Sequence, residues 1–437
     1  MKSLFSNSLF SILMLACAAT LQAHPRSERL ARNALSTTKT LATEAVTELR
    51  ASGPVGLDAL FRVYRQEIDA QIIKPNHGLE WQRLSAVLEA VSQQKDSYLS
   101  GLYWYTDISQ AKKAARASGK PILSLRLLGK LTDEYSCANS RFFRSILYAN
   151  EEVSNVLRKD FVLHWQSVRP VPRLTIDFGD GRKLETTVTG NSIHYILDAQ
   201  GQPLDALPGL YGPKAFLRSL GRVQELHKLL KDKSGDARHE ALDEYHRSAV
   251  RRIKDEWIEA AWQAGVTVIG QLFPRPADDS MPRAVEIAPL AVTKSAVELN
   301  ILKAITRDTE TLGKLTDELA WRRIADQNLR DAKLDGRSVN LIKRQTQSLP
   351  SPRTASTARL ADVLKKLESS VALDTVRNEF FLHTQLHAWL IADPVRFDVE
   401  LLNEKVYAEL FLTPGSDPWL GLFPESYTAL ERGGVTP

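Results

Sequence analysis

Of the two cysteines in the chain, Cys137 is the one placed where a thiol could do chemistry. It opens the stretch Cys137-Ala138-Asn139-Ser140, at the expected start of a helix. A thiol in that position faces unsatisfied backbone N–H groups and the positive end of the helix dipole, both of which favour the thiolate. Arg141 and Arg144 follow within the next two turns and add positive charge. The chemistry open to such a thiolate is a mixed disulfide with a protein or glutathione, or oxidation to a sulfenic acid. Asn139 and Ser140 could donate hydrogen bonds to it. The alternative is a packed and inert thiol, because cysteine outside disulfides is among the most buried residue types. The two readings part over the exposure of Cys137.

A second constellation consists of Glu379, His383 and His387, spaced four residues apart. On a helix they stack on one face and could offer a metal one carboxylate and two imidazoles. The segment His383-Thr384-Gln385-Leu386-His387 lacks the glutamate that follows the first histidine of a zincin, and no further ligand elsewhere is identifiable. The expectation is therefore a solvated or hydrogen-bonded helix face, with no metal and no other cofactor. Asp243 and His246 have the acid-to-histidine spacing of a carboxylate-bridged bundle, but the companion copies are missing. In Gly190-Asn191-Ser192-Ile193-His194, histidine replaces the closing glycine of a nucleophile elbow. Phosphate loops, dinucleotide fingerprints and calcium loops are absent as well; Asp177-Phe178-Gly179-Asp180-Gly181 has too few acids for the last.

The framework that must position these residues is long. At 437 residues, with 43% hydrophobic and 25% charged residues, the chain has room for two to four ordinary globular domains. Its net charge of +5 is spread along the sequence, which disfavours nucleic acid as a partner and leaves a protein partner as the expectation. Two cysteines allow one disulfide at most and exclude four-cysteine zinc sites. Residues 1–23 read as a signal peptide: Lys2, an apolar run from Ile12 to Ala19, and Leu21-Gln22-Ala23 before the cut. The run is too short to span a bilayer core, so no stable membrane insertion is expected after cleavage, and a periplasmic or secreted location follows. A lipoprotein anchored at Cys17 is the alternative, although Met14-Leu15-Ala16-Cys17 departs from that motif at two positions. Cleavage near Ala23 leaves Cys137 as the single thiol, with no intramolecular disulfide possible.

The mature chain divides by periodicity into a helical arm over 24–100, a mixed region over 101–231 and a helical region over 232–437. In the arm, apolar spacing predicts three helices separated at Ser52-Gly53-Pro54 and at Pro75-Asn76-His77-Gly78. The mixed region reads as a helix over 107–118, a strand over Pro121–Leu128 and a helix from Cys137 that bends at Ala149-Asn150. A strand over Phe161–Trp165 follows, then a hairpin turning at Gly179-Asp180-Gly181, strands at Ile193–Leu197 and Pro203–Leu207, and a helix opened by Pro213. Helical spacing continues over Ala237–Ala264, Leu299–Leu312, Thr316–Ala332, Ala358–Ser370, Thr375–Ile391 and Leu401–Phe411. The tail Asn403–Leu422 is a candidate to fasten back onto the mixed region, and the aromatics Tyr103-Trp104-Tyr105 and Trp419 read as packing.

This order, with a single cysteine opening the helix after the first long strand, resembles the thioredoxin fold. In particular it is similar to the thioredoxin-like domain of spermatogenesis-associated proteins and their bacterial relatives. Lys120-Pro121-Ile122, Cys137-Ala138-Asn139-Ser140, Phe161-Val162 and Gly190-Asn191-Ser192 stand where that family has Lys-Pro-Ile, Cys-x-x-Cys, Phe-Val and Gly-Trp-Pro. The resemblance covers about residues 103 to 231 and implies an α/β thioredoxin-like domain flanked by the helical arm and the helical region. The departures carry the functional argument. Ser140 replaces the second cysteine, so no internal disulfide can resolve a mixed one and a dithiol oxidoreductase is not expected. Ser192 replaces the proline that would be cis beside the thiol, and trans geometry is expected there. The leading expectation is thus an exported binding or scaffolding protein with a degenerate site at Cys137, Asn139, Ser140 and Ser192. The alternative is a monothiol redox protein using Cys137 as nucleophile.

Overall fold

The computed structural model describes residues 25–74, 78–188, 190–266, 316–347, 357–392, 398–420, 429 and 431–434. The signal-peptide reading, Cys17 and Ala23, and the helix expected at Leu299–Leu312 lie outside the described residues.

The arm forms five helices where three were expected: α1 (residues 25–33), α2 (Lys39–Ala51), α3 (Pro54–Val63), α4 (Arg65–Ile73) and α5 (Leu79–Ser92). The extra break between α3 and α4 falls at Tyr64, which leaves helical geometry (φ −111°, ψ 29°) and sends its hydroxyl to the Ala31 carbonyl at 3.3 Å. Between α2 and α3 the chain turns at Gly53, whose φ of +68° favours glycine, and Pro54 then opens α3. The two helices touch at Gly56, where a Cβ would lie 2.0 Å from the Leu49 carbonyl oxygen. Leu49, Leu57, Leu60, Leu84, Leu88 and Val91 form the arm's own apolar cluster.

Next comes a five-stranded mixed sheet made of β1 (Trp104–Tyr105), β2 (Ile122–Leu128), β3 (Val162–Arg169), β6 (Ser192–Leu197) and β7 (Pro203–Pro208), in the order β1-β3-β2-β6-β7. β1 and β2 run parallel to β3, whereas β6 is antiparallel to both β2 and β7. All seven residues of β2 are buried, as a central strand covered on both faces must be, which explains its run of apolar residues. α6 (Ile108–Ser118) starts at Asp107, whose carboxylate accepts from the backbone N–H groups of Ser109 and Gln110. The helix after β2 is interrupted: α7 (Ala138–Phe142) gives way to a π turn (Phe143–Leu147), and α8 (Glu151–Asp160) restarts with Asn150 as its cap. β4 (Arg173–Asp177) and β5 (Lys183–Thr187) form a separate ribbon turning at Gly179 and Gly181, both at positive φ. Leu174, Ile176 and Leu184 are exposed, with Ile176 directly opposite Leu184 in the ladder.

Helix α9 (Pro213–Leu230) leads into α10 (Gly235–Gln263), followed by α11 (Glu318–Gln327), α12 (Gly336–Gln347), α13 (Thr357–Arg377), α14 (Thr384–Ala392) and α15 (Val399–Lys405). The interruption expected between Ser370 and Thr375 does not occur. The stretch 357–392 contains neither Gly nor Pro, and α13 runs through a π turn (Asn378–His383) directly into α14. A third π turn, Val406–Leu410, follows α15. Trp257 of α10 stacks on Phe380 at 5.8 Å between ring centroids and meets Phe381 edge-on at 4.7 Å. One apolar cluster runs from Leu102 in the sheet region to Phe411 in the helices. Among the described residues, no helix is long and apolar enough to cross a membrane.

Candidate functional site

Cys137 is the N-cap of α7 and is fully buried. Its backbone N–H donates to the Leu128 carbonyl at the end of β2, which pins the thiol against the sheet. Its Sγ lies 3.9 Å from the carbonyl oxygen of Asn191, the residue before Ser192. All peptide bonds among the described residues are trans. Ser192 is also buried, and so are Asn139 and Ser140. Asn139 Oδ1, Ser140 Oγ and Ser192 Oγ have no hydrogen-bond partner among the described residues, so Ser140 does not donate to the thiol. Unsatisfied buried oxygens of this kind cost about 1–3 kcal/mol each. One amino group of Arg141 donates to Ser136 O and Thr187 Oγ1 at 2.8 and 2.6 Å.

The cover over this thiol comes from the far end of the chain. Tyr407 donates its hydroxyl proton to Asn191 O at 3.2 Å, and Asn191 Nδ2 donates to Thr413 Oγ1 at 2.9 Å. Arg169, at the end of β3, donates to the carbonyls of Thr413 and Asp417 at 2.8 and 2.9 Å. Arg126, buried in β2, pairs with Glu400 at 2.6 Å. The tail thus fastens onto the sheet as far as Asp417, as its sequence allowed, while 421 and 422 fall outside the described residues.

Glu379, His383 and His387 do share a helical face, but it is not solvated: the two histidines are at most 2% exposed. The face packs on the edge strand β7, from which Asp205 projects into it. His383 is held between two acids, with Nδ1 2.8 Å from Glu379 Oε2 and Nε2 3.1 Å from Asp205 Oδ1. Tyr245 of α10 donates to Asp205 Oδ2 at 2.6 Å, and the Ala206 N–H donates to Asp205 Oδ1 at 2.8 Å. His246, also of α10, meets His387 with 2.9 Å between their Nδ1 atoms. The rings of His383 and His387 stack with centroids 4.1 Å apart.

The charges in this cluster follow from its neighbours. Burial alone would push His383 down, but the carboxylates of Glu379 and Asp205 outweigh it and hold the imidazolium up to about 9. Burial likewise opposes ionisation of Glu379, yet His383, Arg252 and Arg222 bring it down to about 2. Asp205 is held below the usual carboxylate range by the histidines around it, chiefly the charged His383 that donates to its Oδ1, against its own desolvation. His387 is pushed well below its ordinary value by burial and by the charge on His383, and is neutral. The result is a buried imidazolium between two carboxylates, with the neutral imidazole of His387 beside it.

Sequence reasoning found three members of this cluster and missed the one that joins them to the sheet. The available signal was Asp205 itself, an acid alone in the apolar strand Pro203-Leu204-Asp205-Ala206-Leu207. His246 was recognised only in a pattern with Asp243, whereas its contact is with His387, 141 positions away. Compared with protein-family models, curated proteins and solved structures, the chain matches none of them.

Proposed function

We propose that this chain is an exported, thioredoxin-like binding or scaffolding protein whose thiol site is sealed by its own C-terminal segment. The observation that carries this reading is the complete burial of Cys137 beside Asn191, whose carbonyl accepts from Tyr407 and whose side-chain amide donates to Thr413. In the thioredoxin-like family that the sequence resembles, the backbone at the proline position meets an extended substrate. Here the corresponding carbonyl is taken by Tyr407. The thioredoxin-like reading is supported further by the strand order β1-β3-β2-β6-β7, in which β6 alone runs against the other four strands, and by a cysteine at the helix following β2. A thiol without access and without a second cysteine turns over no substrate, which leaves recognition as the role. Support for a protein partner comes from the β4–β5 ribbon, whose open face carries Leu174, Ile176 and Leu184.

The test is alkylation of Cys137 in the folded mature protein as a function of pH. The expected outcome is negligible labelling until denaturant is added. Rapid labelling of the native protein, with an apparent pKa well below about 8.5, would overturn the sealed-site reading in favour of monothiol redox chemistry.

A further inference from the structure

We infer that Asp205, His383 and His387 form a binding site for a divalent transition-metal ion of the zinc type, with His246 as a fourth donor beside it. One ligand atom from each of Asp205, His383 and His387 lies within 4.8 Å of the others, and all three residues are buried. Two of the separations are 3.1 Å (His383 Nε2 to Asp205 Oδ1) and 3.8 Å (His387 Nδ1 to Asp205 Oδ1). A tetrahedral ion with bonds of about 2.0–2.2 Å needs donors about 3.3–3.5 Å apart, so these atoms already stand near the edges of such a tetrahedron. His246 Nδ1, 2.9 Å from His387 Nδ1, is placed to complete it by a small outward movement.

Three further observations point to an ion. Glu379 accepts from His383 Nδ1 at 2.8 Å, the carboxylate–histidine arrangement that leaves Nε2 to face a metal and fixes the ring. Tyr245 holds the second oxygen of Asp205, leaving Oδ1 to the donor set. His387 Nε2 is buried and has no hydrogen-bond partner among the described residues, so the ring makes its polar contacts through Nδ1, the atom that faces Asp205 and His246. The donors come from β7, the π turn and α14, with His246 from α10, so an ion would tie the sheet edge to two helices. A cleft of about 470 Å³, lined by Tyr211, Arg222 and Glu379, borders the cluster at Glu379. On binding, the ion takes the place of the proton on His383 Nε2, which leaves to solvent, and of the proton held between the Nδ1 atoms of His246 and His387, which moves to Nε2 of the same ring; nothing is oxidised or reduced. Two imidazoles and one carboxylate, with a third imidazole near, favour zinc over calcium or magnesium, which take all-oxygen shells.

The experiment uses the full mature chain, stripped with chelator, equilibrated with Zn2+, and analysed for bound metal after desalting; Co2+ is then used as a spectroscopic probe. One equivalent of zinc per chain is expected, with Co2+ giving the intense visible bands of a four-coordinate site. His387→Leu should abolish retention while preserving the far-UV circular dichroism, and Glu379→Gln should weaken binding about 10- to 100-fold. Absence of retained zinc in the wild-type protein would overturn the proposal. So would Co2+ bands as weak as those of the hydrated ion, or unchanged zinc in folded His387→Leu. If His387→Leu fails to fold, the wild-type cobalt spectrum and Glu379→Gln decide alone.

Discussion

The carbonyl oxygen of Asn191 faces Cys137 Sγ at 3.9 Å and accepts a hydrogen bond from Tyr407 at 3.2 Å, joining the thiol and its cover through one backbone atom. These two contacts span 54 and 216 positions of sequence, so the seal is entirely tertiary.

Loosening that seal should expose the thiol. Tyr407→Phe removes one buried hydrogen bond, worth about 1 kcal/mol, and should raise the rate of Cys137 labelling in native buffer roughly fivefold. Tyr64→Phe removes a hydroxyl that bonds Ala31 O in the arm and serves as control. Equal acceleration in both variants would mean that the thiol is reached through global unfolding and not by release of the tail.

Acid should destabilise the sheet through two histidines. His194, hydrogen-bonded to Tyr148 at 2.7 Å, is lowered to about 3 by burial. His164, bonded to Ser124 at 2.8 Å, is lowered to about 3 by burial and by Arg126. Because the unfolded chain binds these protons near pH 6.5 and the folded one does not, the stability they contribute is present above pH 6.5 and lost as pH falls towards 3. The loss amounts to roughly 3 kcal/mol per histidine at pH 4. In urea titrations, His194→Gln should reduce the slope of stability against pH between 6.5 and 4 by about one proton. An unchanged slope would show that His194 titrates normally.

The Arg126–Glu400 pair can be dissected by a double-mutant cycle. Arg126 is 1% exposed, while the side chain of Glu400 is about half exposed at 53%. Glu400→Ala should cost about 1–2 kcal/mol by leaving a buried guanidinium uncompensated, discounted for the solvent at Glu400. Arg126→Met should be neutral or stabilising, and in its background Glu400→Ala should cost nothing measurable. Equal costs of Glu400→Ala in both backgrounds would dismiss the pairing.

The ribbon makes the opposite prediction. Ile176→Thr with Leu184→Thr should leave the unfolding free energy from urea titration within about 0.5 kcal/mol of wild type, because both side chains are exposed. A loss above about 2 kcal/mol would mean that this face is packed against protein in solution.

The sheet was legible because its strands are short apolar runs bounded by Gly and Pro, and Asp107 and Pro213 mark helix starts by their own chemistry. β1 was not, since two residues carry no periodicity. The Glu379–His383–His387 face was legible as a helical spacing, but its burial was not, because burial depends on what β7 and α10 bring to it. Asp205 and His383 lie 178 positions apart, and local pattern says nothing about pairs of that separation. The same limit hides Tyr407 and Thr413 from any reading that starts at Cys137.

The three π turns follow α7, α13 and α15, and so border the thiol, the histidine cluster and the cover respectively. A π turn is an α-helix with one residue too many, so each shifts the register of the chain that follows it by one position. Deleting one residue within Asn378–His383 would restore regular winding and swing everything beyond it by about 100°. His387 would then face away from Asp205 while Glu379 stayed in place. That register, more than any single side chain, is what brings α13 and α14 to the sheet with their imidazoles facing inward.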